Sequence, residues 1–518
     1  MVDYRLGFHR FPDRAPVRIC NIVTASPPIE PRIVELPPVV QAQLDAPAPR
    51  RRGWLTTIAP AYLGVFVWFP FLDPLGVGAS GSVGLAGRIL SAVLAVVCCY
   101  GLLYHAPAML GWRTGRRLAV VASEPLGAEG AEWITGVLYG LFAAVWCAVS
   151  IYYSVRLTLL GLISWTLLDP TLVAPWNLGA VKLESPLVLT ALAFWLFIIA
   201  AANGLRLMNV IAALMNVYAP VAAALLGLTA AWTLIGSSAS DLAETRPSGD
   251  SPGAFGLFDP RVFQLVFGYF AFAGLMGVEW GSAVESRKDV RLGGWLGILA
   301  SGAFAVAAGL VLAAGDPGGS GQVVGGVAWE IPVGSIQGAF IRGIGGSLGA
   351  WAAGALLLLF GLASLAPACY ASKVFADRFR GHWDPLRGWL GTVLGYGLIF
   401  ALMAVSLAAR LEPIFALGGA LFAPAAGILA VEAMANRGLE RCVRPGWRGV
   451  GVAAWLVGGL VGLAPMLGEA AGAPWLESVQ PASLLAFATA AAVYGVSMLF
   501  AAKPPAVTDP GSDVSGAP

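Results

Sequence analysis

Apolar residues in this chain do not alternate with polar ones. They gather in long runs, divided by short polar stretches that carry proline and glycine. A helix crossing the hydrocarbon core needs about 20 mainly apolar residues. Twelve stretches have that character: 55–79, 84–110, 132–162, 187–204, 207–236, 260–283, 291–314, 337–372, 387–408, 412–435, 449–469 and 480–502. The eighth is long enough to tilt or to extend beyond the bilayer. The pattern predicts an all-α membrane protein with about twelve transmembrane helices. Residues 1–53 read as a flexible, proline-rich tail ending in Arg50, Arg51 and Arg52. Residues 54–503 form the polytopic domain, and 504–518 a disordered C-terminal tail.

Composition narrows the class. Hydrophobic residues make up 58% of the 518 and charged residues 12%, with mean hydropathy +0.77. A soluble domain carries about a quarter charged residues, so most of this chain faces lipid. The net charge of +2 offers no basic stripe for nucleic acid. Six cysteines, none in a CxxC pair, and three histidines suggest no disulfide framework, metal site or cofactor. No G-x-x-x-x-G-K-[ST] run exists for ATP.

Loop charges orient the helices. Lys and Arg collect in short cytoplasmic loops. Alternate loops hold Arg113, Arg116 and Arg117; Arg206; Arg287, Lys288 and Arg291; Lys373, Arg378, Arg380 and Arg387; and Arg437, Arg441, Arg444 and Arg448. The intervening loops are sparse or acidic, with Asp241, Glu244, Asp250, Glu469 and Glu477, although Arg88, Lys182 and Arg246 break the alternation. This reads as a multi-pass protein of the plasma or inner membrane with both termini cytoplasmic. GxxxG spacings at Gly293/Gly297, Gly345/Gly349 and Gly391/Gly395 fit closely packed helices.

Candidate chemistry lies where apolar runs are interrupted or carry charge. Pro70, Asp73, Pro74, Gly76 and Gly78 cluster at the end of the first run. A regular helix cannot continue through them. Broken helices at membrane depth form substrate and ion sites in secondary transporters; the alternative is a turn that ends the helix at the outer surface. The sixth run has a weaker interruption at Gly268, Gly274 and Gly277, ahead of Glu279 and Trp280. Matching breaks in spans one and six point to an inverted repeat. Glu279 and Glu432 are coupling or gating candidates, or else structural partners of nearby Arg287, Lys288 and Arg437. Trp146 on the third run offers a stacking face for a planar ligand, or else a packing surface.

Three segments resemble the nucleobase:cation symporters that include cytosine permease, within the amino acid–polyamine–organocation superfamily. Residues 194–220 resemble that family's fourth-to-fifth helix stretch. Residues 278–297 resemble its sixth-to-seventh stretch, with Glu279 and Trp280 where the family has Asp and Tyr. Residues 417–437 resemble its tenth helix, with Pro424, Gly427, Glu432 and Arg437 in register. The resemblance implies a LeuT-type fold of two inverted five-helix repeats plus two C-terminal helices. It also implies a substrate site between the first, third, sixth and eighth helices. Trp146 would stack on one face of a ring and Phe270 would cover the other. Ser150 stands where many members have glutamine, and Ser364 near a polar ring-reading position. The sodium-holding Ser/Thr pair would fall near Leu358 and Leu359, which offer no oxygen to a hard cation. The coupling ion is therefore open between sodium and a proton, with Asp73 the carboxylate for the second option.

The expected function is a permease that moves a small solute, a nucleobase or related heterocycle, by ion-coupled alternating access. The rivals are an amino acid or amine transporter of the same superfamily, with Asp73 as an amine partner, and a transporter-like solute sensor. A membrane-embedded enzyme is disfavoured, since the loop from Asp377 to Asp384 with His382 shows no recognisable catalytic spacing. Solute, direction and oligomeric state are not readable from the sequence.

Overall fold

The computed structural model describes residues 35–47, 49–77, 83–178, 181–205, 208–236, 257–316, 331–379, 385–435 and 443–500. Apart from a small hairpin of β1 (Trp176–Leu178) and β2 (Val181–Leu183), the elements are helices. They are α1 (Pro38–Asp45), α2 (Ile58–Phe66), α3 (Phe69–Leu72), α4 (Leu85–Thr114), α5 (Leu118–Ser164), α6 (Pro186–Gly204), α7 (Met208–Gly236), α8 (Pro260–Leu275) and α9 (Gly277–Ser282). Then follow α10 (Arg287–Ala314), α11 (336–348), α12 (Ala350–Phe379), α13 (Pro385–Ala404), α14 (Leu411–Met434), α15 (Gly449–Ala471) and α16 (Ala482–Phe500). Each of the twelve apolar stretches carries helix. Among the described residues nine helices are long and apolar enough to cross a membrane, and a tenth crossing arises if α2 and the bent 69–75 segment count together.

Local chemistry sets the helix ends. The Ser185 side chain accepts from Val188 N at the start of α6, and Asp259 accepts from Arg261 N and Val262 N at the start of α8. Ser286 and Asp289 form a reciprocal capping box on α10. These groups satisfy first-turn amides that have no partner within the helix. Gly115, with φ 60°, ends α4. Helices approach closely through glycine: Gly293 and Gly297 of α10 rest on Ile58 and Ala59 of α2.

Two regions depart from the sequence expectation. Part of the supposed flexible tail forms α1, whose Val39 and Val40 are buried. Its first-turn amides are received by Glu132 of α5: Val39 N lies 2.9 Å from Oε2 and Val40 N 3.2 Å. A carboxylate at a helix N-terminus is favoured by both hydrogen bonding and the helix dipole. The third helix starts at Leu118 rather than near 132. Gly127, with φ 78°, turns the chain there, and the amides beyond it bond to the segment before α15 (Ala128 N to Arg444 O, 2.7 Å).

Two ends of the bundle can be told apart. One carries Arg113, Arg117, Arg287, Lys373 and Arg378 and is called the basic end here. The other, the far end, carries the tips of α3 and α11 and the β-hairpin.

Candidate functional site

The first span is broken, at Val67 and Trp68 rather than at the prolines. The helix α2 stops at Phe66, and the chain restarts at Phe69 with a bend of 49°. Pro70 lies in the first turn of α3, where its missing N–H costs no bond. Asp73 and Pro74 form the tighter 3₁₀ turn that follows. In the sixth span α8 and α9 meet at Met276, which keeps near-helical dihedrals (φ −61°, ψ −17°). Gly268 and Gly274, expected at a break, lie inside α8. They allow close contact with the Phe415 and Leu103 carbonyls respectively.

Trp68 at the first break faces a set of aromatic rings. Its ring centroid lies 5.2 Å from Trp146 of α5 and 5.8 Å from Tyr269 of α8, the latter stacked at 18°. Trp146 also meets Tyr269 at 5.2 Å and Phe272 at 4.6 Å. A cavity of about 240 Å³ runs from exposed Arg52 and Thr56 at the basic end to this cluster, passing Met276, Trp280 and Tyr370. Its walls come from α2, α5, α8, α9 and α12, the first, third, sixth and eighth spans. Toward the far end Phe415 closes on Trp68 at 6.4 Å and on Tyr269 at 5.1 Å. Phe69, Phe340 and Phe360 fill the space beyond, with centroids 5.6–6.0 Å apart. Trp68 Nε1 is buried without a hydrogen-bond partner among the described residues.

The expected site residues separate into groups. Trp146 lines the cavity. Phe270 does not face it: the ring stacks on Phe66 at 5.3 Å and 14° and touches Tyr62, so Tyr269 and Phe272 are the sixth-span rings opposite Trp146. One residue along a helix rotates a side chain by about 100°, which is the size of that error. Ser150 and Ser364 are buried and return their hydroxyls to the carbonyls of Trp146 and Phe360. Leu358 rests against Gly161 of α5, and Leu359 is 48% exposed on the outer surface. The rings of Phe340 on α11 and Phe360 on α12 pack against Phe69 just past the break.

Asp73 is not among the residues around the cavity. Gln337 of α11 holds it twice, backbone N to Oδ1 at 3.0 Å and Nε2 to Oδ2 at 2.6 Å. Arg156 of α5 donates Nε to Gln337 Oε1 at 3.0 Å. Arg156, absent from the expected site residues, is a lone cation inside the apolar run 132–162, a signal present in the sequence itself.

The two glutamates are tied to basic groups. Glu279 accepts from Arg378 Nη2 of α12 at 3.1 Å and from Leu118 N at 3.3 Å, so its partner is the eighth span rather than Arg287 or Lys288. Glu279, Arg378, Arg117, Lys373 and Gln43 of α1 surround a second cavity of about 400 Å³ at the basic end, which shares Met276 and Tyr370 with the first. Glu432 is fully buried and receives the Tyr494 hydroxyl, while Arg448 Nη1 bonds Tyr494 Oη at 2.8 Å. These contacts pin α16 to α14. Arg437, Gly78, His382 and the acidic loop at 237–256 lie outside the described residues.

No protein-family model matches the chain, and no curated protein matches it in sequence. Solved structures do match. Mhp1, a nucleobase-cation-symport-1 family transporter in a closed conformation with bromovinylhydantoin bound, superposes with TM-score 0.58 at 15% identity, covering 88% of this chain and 96% of Mhp1. Mhp1 in its inward-facing conformation gives 0.58 at 16%, covering 88% and 93%. MhsT in complex with L-phenylalanine gives 0.50 at 16%, covering 87% and 98%. The chain has the LeuT-type fold of these transporters.

Proposed function

We propose that the protein is a secondary transporter working by alternating access, and that its cargo is a small, uncharged, ring-shaped solute. The observation that carries this reading is the cavity that opens at the basic end and stops at Trp68, Trp146, Tyr269 and Phe272 beside the broken first span. Half-broken spans at a central site recur in secondary transporters, and flat aromatic walls suit a flat ligand. Among the described residues Arg52 is the only charged side chain on the cavity wall, and it sits at the mouth. An uncharged ring therefore fits better than an amine or a zwitterion. The unpartnered Trp68 Nε1 would donate to a ring oxygen or nitrogen, since a buried donor left unpaired is costly.

With the basic loops read as cytoplasmic, the open end faces the cytoplasm, and the reading is of an inward-facing state of an integral membrane protein with both termini inside. Mhp1 with bromovinylhydantoin bound supports a heterocyclic cargo; MhsT with L-phenylalanine is the pattern for the amino acid rival. The aromatic rings at the first break argue against a sodium site there; Leu358 and Leu359 face elsewhere and bear on neither ion.

The test is uptake of radiolabelled cytosine, uracil, hypoxanthine, allantoin and hydantoin into proteoliposomes under imposed sodium or proton gradients. Uptake of one ring, lost in Trp146→Ala, supports the reading. Uptake of phenylalanine or an amine instead moves the cargo to the rival class, and binding without uptake makes the protein a sensor.

A further inference from the structure

Among the described residues, three tyrosine hydroxyls end on backbone carbonyls at the two interrupted spans. Tyr269 of α8 donates to Val65 O at 2.6 Å, in the last turn of α2. Tyr62 of α2 donates to Ala273 O at 3.2 Å, and Tyr139 of α5 to Phe272 O at 3.3 Å, both in the last turn of α8. Carbonyls of a last helical turn have no amide ahead of them in the same helix, so side chains are free to take them. Tyr62 and Tyr269 bind the first and sixth spans to each other in both directions. Tyr139 differs, because it ties the sixth span to the third.

The local backbone shows what that bond replaces. In a regular α-helix the Met276 amide would serve Phe272 O, four residues back. Here it donates to Ala273 O at 3.2 Å, a three-residue step, and α9 begins at the next residue. Met276 has φ −61° and ψ −17°, close to a 3₁₀ turn and a small rotation away from the α-helix. The joint between α8 and α9 therefore has two neighbouring forms. In one the Met276 amide holds Phe272 O; in the other Tyr139 holds it. The Tyr139 ring reinforces the second form. It stacks on Phe272 at 4.3 Å and 24°, and the Arg378 guanidinium that grips Glu279 of α9 lies 5.5 Å from its centre. Tyr139 stands seven residues, about two helical turns, before Trp146, which meets the same Phe272 ring at 4.6 Å. Tyr139 does not line the aromatic cavity; it lines the 400 Å³ cavity at the basic end.

We propose that Tyr139 is a positioning residue for alternating access: its hydroxyl on Phe272 O holds the α8–α9 joint in the form that leaves the basic end open. Closing that end draws Met276 and Trp280, both on the cavity wall, inward with α9. The joint then takes the four-residue bond from the Met276 amide. The Tyr139 hydroxyl lets go, and water in the 400 Å³ cavity receives it. The role rests on the alternating-access reading above and adds no group to the cargo site, since Tyr139 acts through Phe272.

Hydrogen–deuterium exchange of the full chain in nanodiscs, comparing the unmodified protein with Tyr139→Phe, tests the role. Phenylalanine keeps the ring and its stacking and deletes the hydroxyl alone. One hydrogen bond lost from the open form shifts the balance of the two forms by roughly three- to tenfold. Exchange at far-end peptide 331–345 should rise by about that factor, while basic-end peptides 52–64 and 367–378 gain protection. Loss of stability alone does not give opposite changes at the two ends, because a weakened fold exchanges faster everywhere. Tyr494→Phe deletes a buried hydroxyl between Glu432 and Arg448; it is the control and should show no such opposition. A profile that does not change in Tyr139→Phe, exchange that rises at the basic end, or a protein that no longer folds overturns the role. The same opposition in Tyr494→Phe overturns it too. Opposed changes with no uptake of any ring count against the cargo reading alone, and ring uptake with an unchanged Tyr139→Phe profile against the positioning role alone.

Discussion

Tyr269 stands close to edge-on to Trp146, ring centroids 5.2 Å apart and planes at 66°, while its neighbour Phe270 turns away to stack on Phe66. The Tyr269 hydroxyl also donates to Val65 O at 2.6 Å, in the last turn of α2 before the break. One side chain thus forms a wall of the cavity and fixes the break beside it.

That arrangement separates two variants that look alike in sequence. Aromatic pairs contribute about 0.5–1.5 kcal/mol beyond area burial, so Tyr269→Ala and Trp146→Ala should each weaken ring binding by roughly tenfold. Phe270→Ala should leave ligand affinity nearly unchanged. It should lower stability by about 3–5 kcal/mol, the usual cost of truncating a buried phenylalanine. Ligand titration and thermal unfolding on the same three proteins check the division.

The docked helix α1 depends on Glu132. Hydrogen bonds to a charged acceptor contribute about 1.5–3 kcal/mol, and Glu132 receives both Val39 N and Val40 N. Glu132→Gln keeps the shape and removes the charge. It should raise amide exchange of residues 38–45 by roughly tenfold or more, since 1.4 kcal/mol is a factor of ten. Unchanged protection would mean that Val39 and Val40 hold the helix by apolar packing alone.

At the basic end, Arg378 has only 7% of its side chain exposed, and Glu279 25%. Removing one partner of a buried pair leaves a charge stranded, which costs about 3–5 kcal/mol for a fully buried pair. Glu279→Ala should fall toward the lower end of that range because water reaches the glutamate. The Glu279→Arg, Arg378→Glu double variant should recover part of the loss. A double-mutant cycle in thermal stability measures the coupling.

Much of the fold was legible because lipid imposes a coarse and repetitive demand. Twelve apolar stretches and alternating basic loops follow from hydrocarbon thickness and loop charge, and the Pro70–Gly76 cluster marked the broken span. What escaped depends on partners far apart in the chain. Asp73 reads as a ligand group until Gln337, 264 positions later, is seen to hold both its oxygens. Residues 118–131 carry Glu124 and Glu129 and read as loop, yet Gly127 and the chain at 444–448 fold them onto the bundle. The resemblance points to Phe270, one position from Tyr269, because a resemblance at this distance does not fix helix register to one residue. The site was therefore legible as a place on the third and sixth spans, but not as a set of side chains.

The far-end closure also depends on a contact with no room in it. Gly76 lies against the Gly334 carbonyl, and a Cβ at Gly76 would meet both that carbonyl and Ala313. Gly334 stands three residues before Gln337, so any wedge here acts directly on the grip that Gln337 has on Asp73. The backbone of Gly76 is itself ordinary, with φ −97°, and alanine could adopt it without strain. The effect of Gly76→Ala is then purely steric, about 1–3 kcal/mol for one added methyl in a packed contact. It should fall on the closed far end and shift the protein toward outward opening. Exchange at 331–345 should rise while the basic-end peptides keep their protection. Gly84→Ala, where a Cβ meets nothing within 4 Å, is the control and should leave both ends unchanged. A uniform loss of protection in Gly76→Ala would show instead that the contact supports the whole bundle and not one gate.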